Sequence, residues 1–348
     1  MIGSGEKAYA FVKASGIIGK SFIGRRITAI NQIRGLSELD RLVFGKGARE
    51  LPEKELLSDL ERRLSRRGVD AISAVLASYR NPPELFTLLL RVYEYTDLKT
   101  ALALIMEKEI SSKPVFTPLG RFGTVNFGAW PDAKAMLAGT DLEFILAYLD
   151  QNNPSSAESQ TGMNDNEVVS LETALDRHYY TRLWASLSKL KKRDSRAAEK
   201  IITEEISLRN CAWVLRLRSY YGMKAEEVTQ HLVVIEKNKV LSKDAIAALD
   251  YSLDDRSDWE SWKRLRFLNP DSFAGQWKAD PRFFQNAASE YLYHLAFVNF
   301  RRSPSFIDKV FCYIKLKQFE EDVLTSCVEG LGMGMTGRDV LAMLEVVS

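Results

Sequence analysis

The sequence predicts an all-α protein. Three observations carry this. Apolar residues recur at spacings of three and four along most of the 348 residues. Strand-like alternation is scarce throughout. Proline and glycine divide the chain into runs of helix length. From Leu36 to Ala77 the apolar positions follow the helical period, with Glu and Arg between them. Ser37 is a candidate cap for one helix. Pro52 suits the first turn of the next, where Glu53 and Glu55 favour the positive end of the dipole. Asn81-Pro82-Pro83 breaks the pattern, and a helix is expected from Glu84 to about Lys108.

Ser111 to Pro131 carries three prolines and three glycines and reads as a long loop, within which a short hairpin around Val115-Phe116 and Val125-Asn126-Phe127 is the alternative. Helix is expected again from Asp132 to Leu149. Residues 151–166 are rich in Asn, Ser, Gly and Pro and read as an exposed linker. The stretch from Leu171 to Tyr221 is too long for one ordinary helix. It is expected to fold as two antiparallel helices with a turn near Lys192-Arg193-Asp194, and Gly222 as the stop. Further helical runs are expected at 224–237, 242–252, 259–266, 282–302 and 306–329, with Asn269-Pro270, Asp280-Pro281 and Ser303-Pro304 between some of them.

An internal echo is present. Asp176-Arg177-His178-Tyr179-Tyr180 resembles Asp280-Pro281-Arg282-Phe283-Phe284, each read as an acid at a helix start with aromatics following. Tyr93 to Lys99 opens a comparable segment in the first third. Three helical units of about 110 residues fit this spacing.

Composition excludes several function classes. Apolar residues make up 46% and charged residues 27%, values of a chain able to bury a core. The net charge of +2 is small for a nucleic-acid binder, and the basic clusters at Arg62-Arg63, Arg66-Arg67, Lys191-Lys192-Arg193 and Arg301-Arg302 read as solvated helix faces. Cys211, Cys312 and Cys327 contain no C-x-x-C pair, which argues against a disulfide framework, and Cys211 and Cys312 read as small core residues. The first twenty residues lack the pattern of a signal peptide. No apolar run approaches the length of a membrane span; the longest, Leu85 to Leu90, reads as a core-helix fragment.

No motif points to catalysis. Gly19-Lys20-Ser21 resembles the end of a phosphate-binding loop, but Ala14 stands where the first glycine is needed and no strand precedes it. Gly3-Ser4-Gly5 has no room for the strand that a dinucleotide site requires. His178, His231 and His294 are far apart, with no metal-ligand spacing. His178, beside two tyrosines, reads as a partly buried aromatic. Glu204-Glu205 and Glu320-Glu321-Asp322 read as solvating or bridging acids. Asn210 lies on the apolar stripe of Ile206, Trp213 and Leu217, so a buried amide whose hydrogen bond joins neighbouring helices is expected there, with a direct partner contact as the alternative. Catalytic, cofactor-binding and metal-binding residues are all expected to be none.

Three stretches, with a looser match near the C-terminus, together resemble the C family of V/A-type ATPase stalk proteins, called d in eukaryotes. Tyr9 to Ala14 is similar to its opening helix, with Lys13 where Arg is expected. Tyr93-Glu94-Tyr95-Thr96-Asp97-Leu98-Lys99 is similar to its Tyr-Asp-Tyr-x-Asn-Leu-Lys segment, with Asp97 for Asn. Leu175 to Tyr180, then Glu205-Ile206-Ser207-Leu208-Arg209-Asn210, match a Leu-Asp-x-x-Tyr-aromatic helix and a Glu-Ile-Asp-Leu-x-Asn segment, with Ser207 for Asp. Tyr313, Lys317, Glu320 and Gly330 fall at similar spacings near the C-terminus.

The resemblance implies three similar helical lobes arranged as a funnel, here taken as residues 1–118, 119–227 (with the linker near 151–166) and 228–348. It implies a non-catalytic subunit without cofactors, peripheral on the cytoplasmic face of the membrane. Its implied partners are the D and F shaft subunits and the proteolipid rotor ring. It would pass torque between ATP turnover and proton or sodium transport. No nucleic acid or small-molecule substrate is expected. Arg62 to Arg67 and Lys189 to Arg196 are candidate contact patches by charge complementarity. A helical scaffold with a soluble partner is the alternative.

Overall fold

The computed structural model describes residues 3–111, 113–151, 165–235, 238–270 and 277–344. Among these there is no strand. In chain order the helices are α1 (Ser4–Ile18), α2 (Leu36–Phe44), α3 (Glu53–Leu76), α4 (Glu84–Met106), α5 (Ala133–Leu137), α6 (Leu146–Gln151), α7 (Asp165–Leu187), α8 (Arg196–Tyr221), α9 (Ala225–Gln230), α10 (Val240–Ala247), α11 (Pro281–Arg302), α12 (Phe306–Gly332) and α13 (Gly337–Met343). The all-α expectation holds.

The chain forms two compact units. Unit 1 comprises residues 1–86, 190–202 and 282–348; unit 2 comprises residues 87–189 and 203–281. In unit 1, α12 is the central element and packs on α1, α3 and α13. Most of its positions are buried, Lys317 and Glu320 among them, while Gln318, Asp322, Thr325 and Glu329 keep contact with solvent along one strip. Ser305 caps it by accepting the Asp308 amide, and the Asp308 carboxylate in turn accepts the amides of Ala197 (3.1 Å) and Ala198 (3.0 Å). The core joins Ile27, Ile30 and Leu39 to Leu60 and Leu64 of α3, and to Val323, Cys327 and Leu331 of α12. Two glycines let α13 lie close. A Cβ at Gly330 would meet Val340 Cγ2 at 2.4 Å, and one at Gly337 would meet the Ile30 carbonyl oxygen at 2.1 Å.

In unit 2, α4, α7 and α8 are joined by side-chain pairs whose order fixes their directions. Tyr95 meets His178 while Lys99 meets Asp176, so α4 and α7 run antiparallel. Tyr180 meets Glu205 while Asp176 meets Arg209, so α7 and α8 do too. The turn between them is a 3-10 segment at Lys192–Asp194, where the sequence puts it. Gly222 stops α8 in the left-handed region at φ +61°.

Some boundaries differ from the sequence reading. The long loop holds 3-10 turns at Gly120–Phe122 and Phe127–Ala129 rather than a hairpin. Acids of α4 tie it down instead: buried Glu94 accepts the amides of Thr124 and Val125, and half-buried Asp97 accepts the amide of Thr117. The helix expected over 132–149 is split, because Gly139 adopts φ +73° between α5 and α6. Residues 259–266 form no α-helix; 3-10 turns at Arg256–Trp259 and Leu265–Phe267 take up the two ends of this stretch. The indoles of Trp259 and Trp262 donate to the carbonyls of Ser252 and Asp244, which draws this segment onto the one before it. Asp176 lies in mid-helix, whereas Asp280 precedes α11, so the echo does not mark two equivalent helix starts. Most of the linker reading at 151–166, and residues 236–237 of the run expected at 224–237, lie outside the described residues.

Candidate functional site

The degenerate stretches of the middle of the chain converge on one buried cluster in unit 2. Asp176 lies between Lys99 Nζ (2.7 Å) and the Arg209 guanidinium. The Arg209 guanidinium also lies over the rings of Tyr180 (5.2 Å) and Trp213 (5.5 Å). Tyr95 donates or accepts a 2.8 Å hydrogen bond with His178 Nδ1 and meets Tyr179 edge-on. Each of the three stretches, Tyr93 to Lys99, Leu175 to Tyr180 and Glu205 to Asn210, therefore contributes both a charge and a packing surface to the same place. Charges brought this far out of water are retained only with partners.

Two further devices extend the cluster. Asn210 is fully buried; its Oδ1 accepts the Val233 amide (2.9 Å) and its Nδ2 donates to the Val233 carbonyl (3.0 Å). One side chain thus satisfies both backbone groups of a residue outside regular structure; the role is a structural hydrogen bond as expected, but its main partner is an irregular segment rather than a neighbouring helix. Arg264, 5% exposed, bridges Glu204 (2.6 Å) and Asp244 (2.7 Å) and donates to Ser207 Oγ (3.1 Å). Those acids hold its guanidinium in the charged form against the penalty of burial.

Unit 1 has its own ion-pair centres. Asp40, fully buried, accepts Arg63 (3.0 Å) and the Arg49 amide (2.6 Å). Asp59 accepts from Arg49, Arg62 and Arg63. Burial pushes the Asp59 carboxyl up, but these guanidiniums hold it below the usual carboxylate range. Glu320 accepts Lys317 Nζ, Arg67 (3.0 Å) and the Phe22 amide (2.7 Å). The patch of Arg62 to Arg67 is therefore mostly engaged within the fold, Arg66 pairing with Asp70 at 3.7 Å. Lys191 and Lys192, by contrast, are exposed on the 3-10 turn before α8.

The chemistry of these groups is structural. All three cysteines are buried free thiols, and burial pushes that of Cys327 up to about 12, so it stays protonated. His178 is held below its ordinary value of 6.5 by burial and by the nearby Arg91 charge, which keeps it neutral at pH 7. It is the half-buried aromatic that the sequence suggests. Gly19-Lys20-Ser21 follows helix α1 rather than a strand, and the Ser21 hydroxyl donates to the Ile17 carbonyl (3.1 Å). Among the described residues no group of three His, Cys, Asp or Glu side chains is placed to hold a metal ion. No described helix is long and apolar enough to cross a membrane.

The family described as ATP synthase (C/AC39) subunit matches residues 43–340. The chain belongs to that family. A relative from Treponema pallidum, described as an uncharacterized protein, is 26% identical over 334 residues, covering 94% of this chain and 92% of its own. The family match takes in the cluster around Asp176, Arg209 and Asn210 entire. It begins after α1, so the lysines of that helix lie outside it.

Glu320 bridges to Lys317 and Arg67, one of the two roles the sequence gives the acids near 320, and it does so inside the core rather than at the surface.

Proposed function

We propose that this chain is the non-catalytic central-stalk subunit of a V/A-type rotary ATPase. It links the D and F shaft subunits to the membrane rotor ring and transmits torque between ATP turnover and proton or sodium transport. The observation that carries this reading is membership of the ATP synthase (C/AC39) subunit family over residues 43–340. The interior fits the task. A coupling element must resist twisting, and helices joined by buried multi-partner ion pairs and close packing resist relative sliding. In this reading the chain is peripheral on the cytoplasmic face of the membrane, its lobes form a funnel, and the exposed Lys191 and Lys192 belong to a partner-contact surface.

The test is a pull-down of tagged chain from mild-detergent extracts of its native membranes, followed by mass spectrometry. Head, shaft and ring subunits recovered in fixed ratio support the stalk role. Soluble partners alone, with no ATPase subunit, overturn it in favour of a helical scaffold.

A further inference from the structure

One side of α1 borders a groove of about 340 Å³ in unit 1. Lys13, Gly16, Ile17 and Lys20 form one wall, and Arg67 and Lys317 are carried on α3 and α12 opposite. Four cations thus converge from three elements. Arg67 and Lys317 share one carboxylate, that of Glu320, which is 1% exposed and satisfied by them and by the Phe22 amide. Lys13 and Lys20 form no ion pair among the described residues; Lys20 is exposed and Lys13 half-buried.

We propose that this groove binds a phosphate monoester. The argument begins with charge. Of the four positive groups, Arg67 and Lys317 are committed to the Glu320 carboxylate, with the Glu321 charge also acting on Lys317, and the two uncommitted charges of Lys13 and Lys20 match a phosphate dianion. A single carboxylate ligand would leave one lysine unbalanced. Lys13 lies in the second half of α1 and Lys20 in the turn that follows its end, and flexible stems let both ammonium groups turn inward. Gly16 lies between them, and a Cβ there would meet nothing within 4 Å, so the ligand can approach the helix backbone. The Arg67 guanidinium keeps donors beyond the one given to Glu320, and a planar fork of donors suits phosphate oxygens. The volume exceeds that of a bare phosphate, and Ile17 and Ala71 offer an apolar surface for the ester group. Burial holds the Lys317 ammonium below the usual lysine range, and an anion nearby would oppose that shift. The inference does not depend on the subunit role proposed above.

The full chain is titrated calorimetrically with glycerol 3-phosphate and with inorganic phosphate at constant ionic strength. In parallel it is floated with phosphatidylcholine vesicles with and without phosphatidic acid. Lys13→Gln/Lys20→Gln is compared with Lys46→Gln/Lys54→Gln, a control with the same charge change at exposed positions of the same unit. The expected result is saturable binding that the first pair weakens about tenfold or more and the control leaves unchanged. Binding of glycerol 3-phosphate identifies a soluble ligand, and binding of phosphatidic acid vesicles alone identifies a lipid headgroup. The proposal is overturned if no phosphate probe binds, or if both double variants lose binding equally, since that would report net charge rather than a site.

Discussion

Glu320→Leu is expected to be among the most damaging single changes in unit 1. The carboxylate is 1% exposed and holds three partners, of which Lys317 is itself only 2% exposed. Removing it leaves a buried ammonium with Ser21 Oγ at 3.2 Å as its remaining hydrogen-bond partner. It also leaves the Phe22 amide without its acceptor. Breaking a buried pair from one side costs about 3–5 kcal/mol. Lys317→Met removes the other half, yet Glu320 keeps Arg67 and the Phe22 amide, and Arg67 is 27% exposed and reaches water. Its expected cost is smaller, about 1–2 kcal/mol.

The chain supplies a means of reading this unit by unit. All six tryptophans, Trp130, Trp184, Trp213, Trp259, Trp262 and Trp277, lie in unit 2. Tryptophan fluorescence therefore follows unit 2, while far-ultraviolet circular dichroism follows both. In a urea titration with a slope of about 2 kcal/mol/M, Glu320→Leu should move an early dichroism transition down by about 1.5–2.5 M, ahead of the fluorescence change. Equal losses for Glu320→Leu and Lys317→Met, or a loss below about 1 kcal/mol for the former, would refute the assignment of this cost to a stranded ammonium.

Three other outcomes follow from the same interior. Asn210→Ala strands the buried amide and carbonyl of Val233, and should cost about 2–4 kcal/mol, read first by tryptophan fluorescence. Gly337→Ala drives a Cβ into the Ile30 carbonyl, a backbone atom that cannot step aside, whereas Gly330→Ala meets a valine methyl that can; the former should lower the dichroism midpoint more. Glu320 has a carboxyl that burial pushes up but Lys317 and Arg67 hold below its ordinary 4.5. A depressed folded-state value gives stability present above 4.5 and lost as pH falls through the folded value. The gap between wild type and Glu320→Gln should therefore narrow on acidification from pH 7 to below 4.5, and a constant gap would count against the pairing.

The helical architecture is legible in the sequence because it rests on short-range signals. The breaks at Asn81-Pro82-Pro83, Lys192-Arg193-Asp194 and Gly222 are local chemistry, and each stands where the sequence puts it. What the sequence hides depends on contacts distant along the chain. The loop before Pro131 lacks a hairpin because Glu94 and Asp97, some 20 to 30 residues earlier, take its amides. Residues 259–266 have helical spacing, yet Trp262 and Arg264 are drawn to Asp244 and Glu204. The burial of Asn210 follows from its stripe, but its partner does not, since nothing in the sequence near Val233 advertises two unpaired backbone groups.

The departures from the family pattern are explained by the same contacts. Ser207 stands where Asp is usual, and its hydroxyl meets an Arg264 that already has Glu204 and Asp244, so a third carboxylate is not needed there. Asp97 stands where Asn is usual, and its working contact is with Thr117, whose amide it accepts at 2.6 Å. An amide oxygen can accept the same bond. Burial pushes the Asp97 carboxyl up, with the Glu94 charge adding to it, so ionising it at neutral pH opposes folding. A raised folded-state value gives a contribution present at low pH and lost as pH rises through that value. Asp97→Asn should therefore match or exceed the wild-type fluorescence midpoint at pH 7. The advantage should disappear below the ordinary aspartate value of 3.8, where both side chains are neutral. A variant less stable than wild type at pH 7 by more than about 1 kcal/mol would mean that the charge itself holds the loop, and that the hydrogen bond to Thr117 is not what this position supplies.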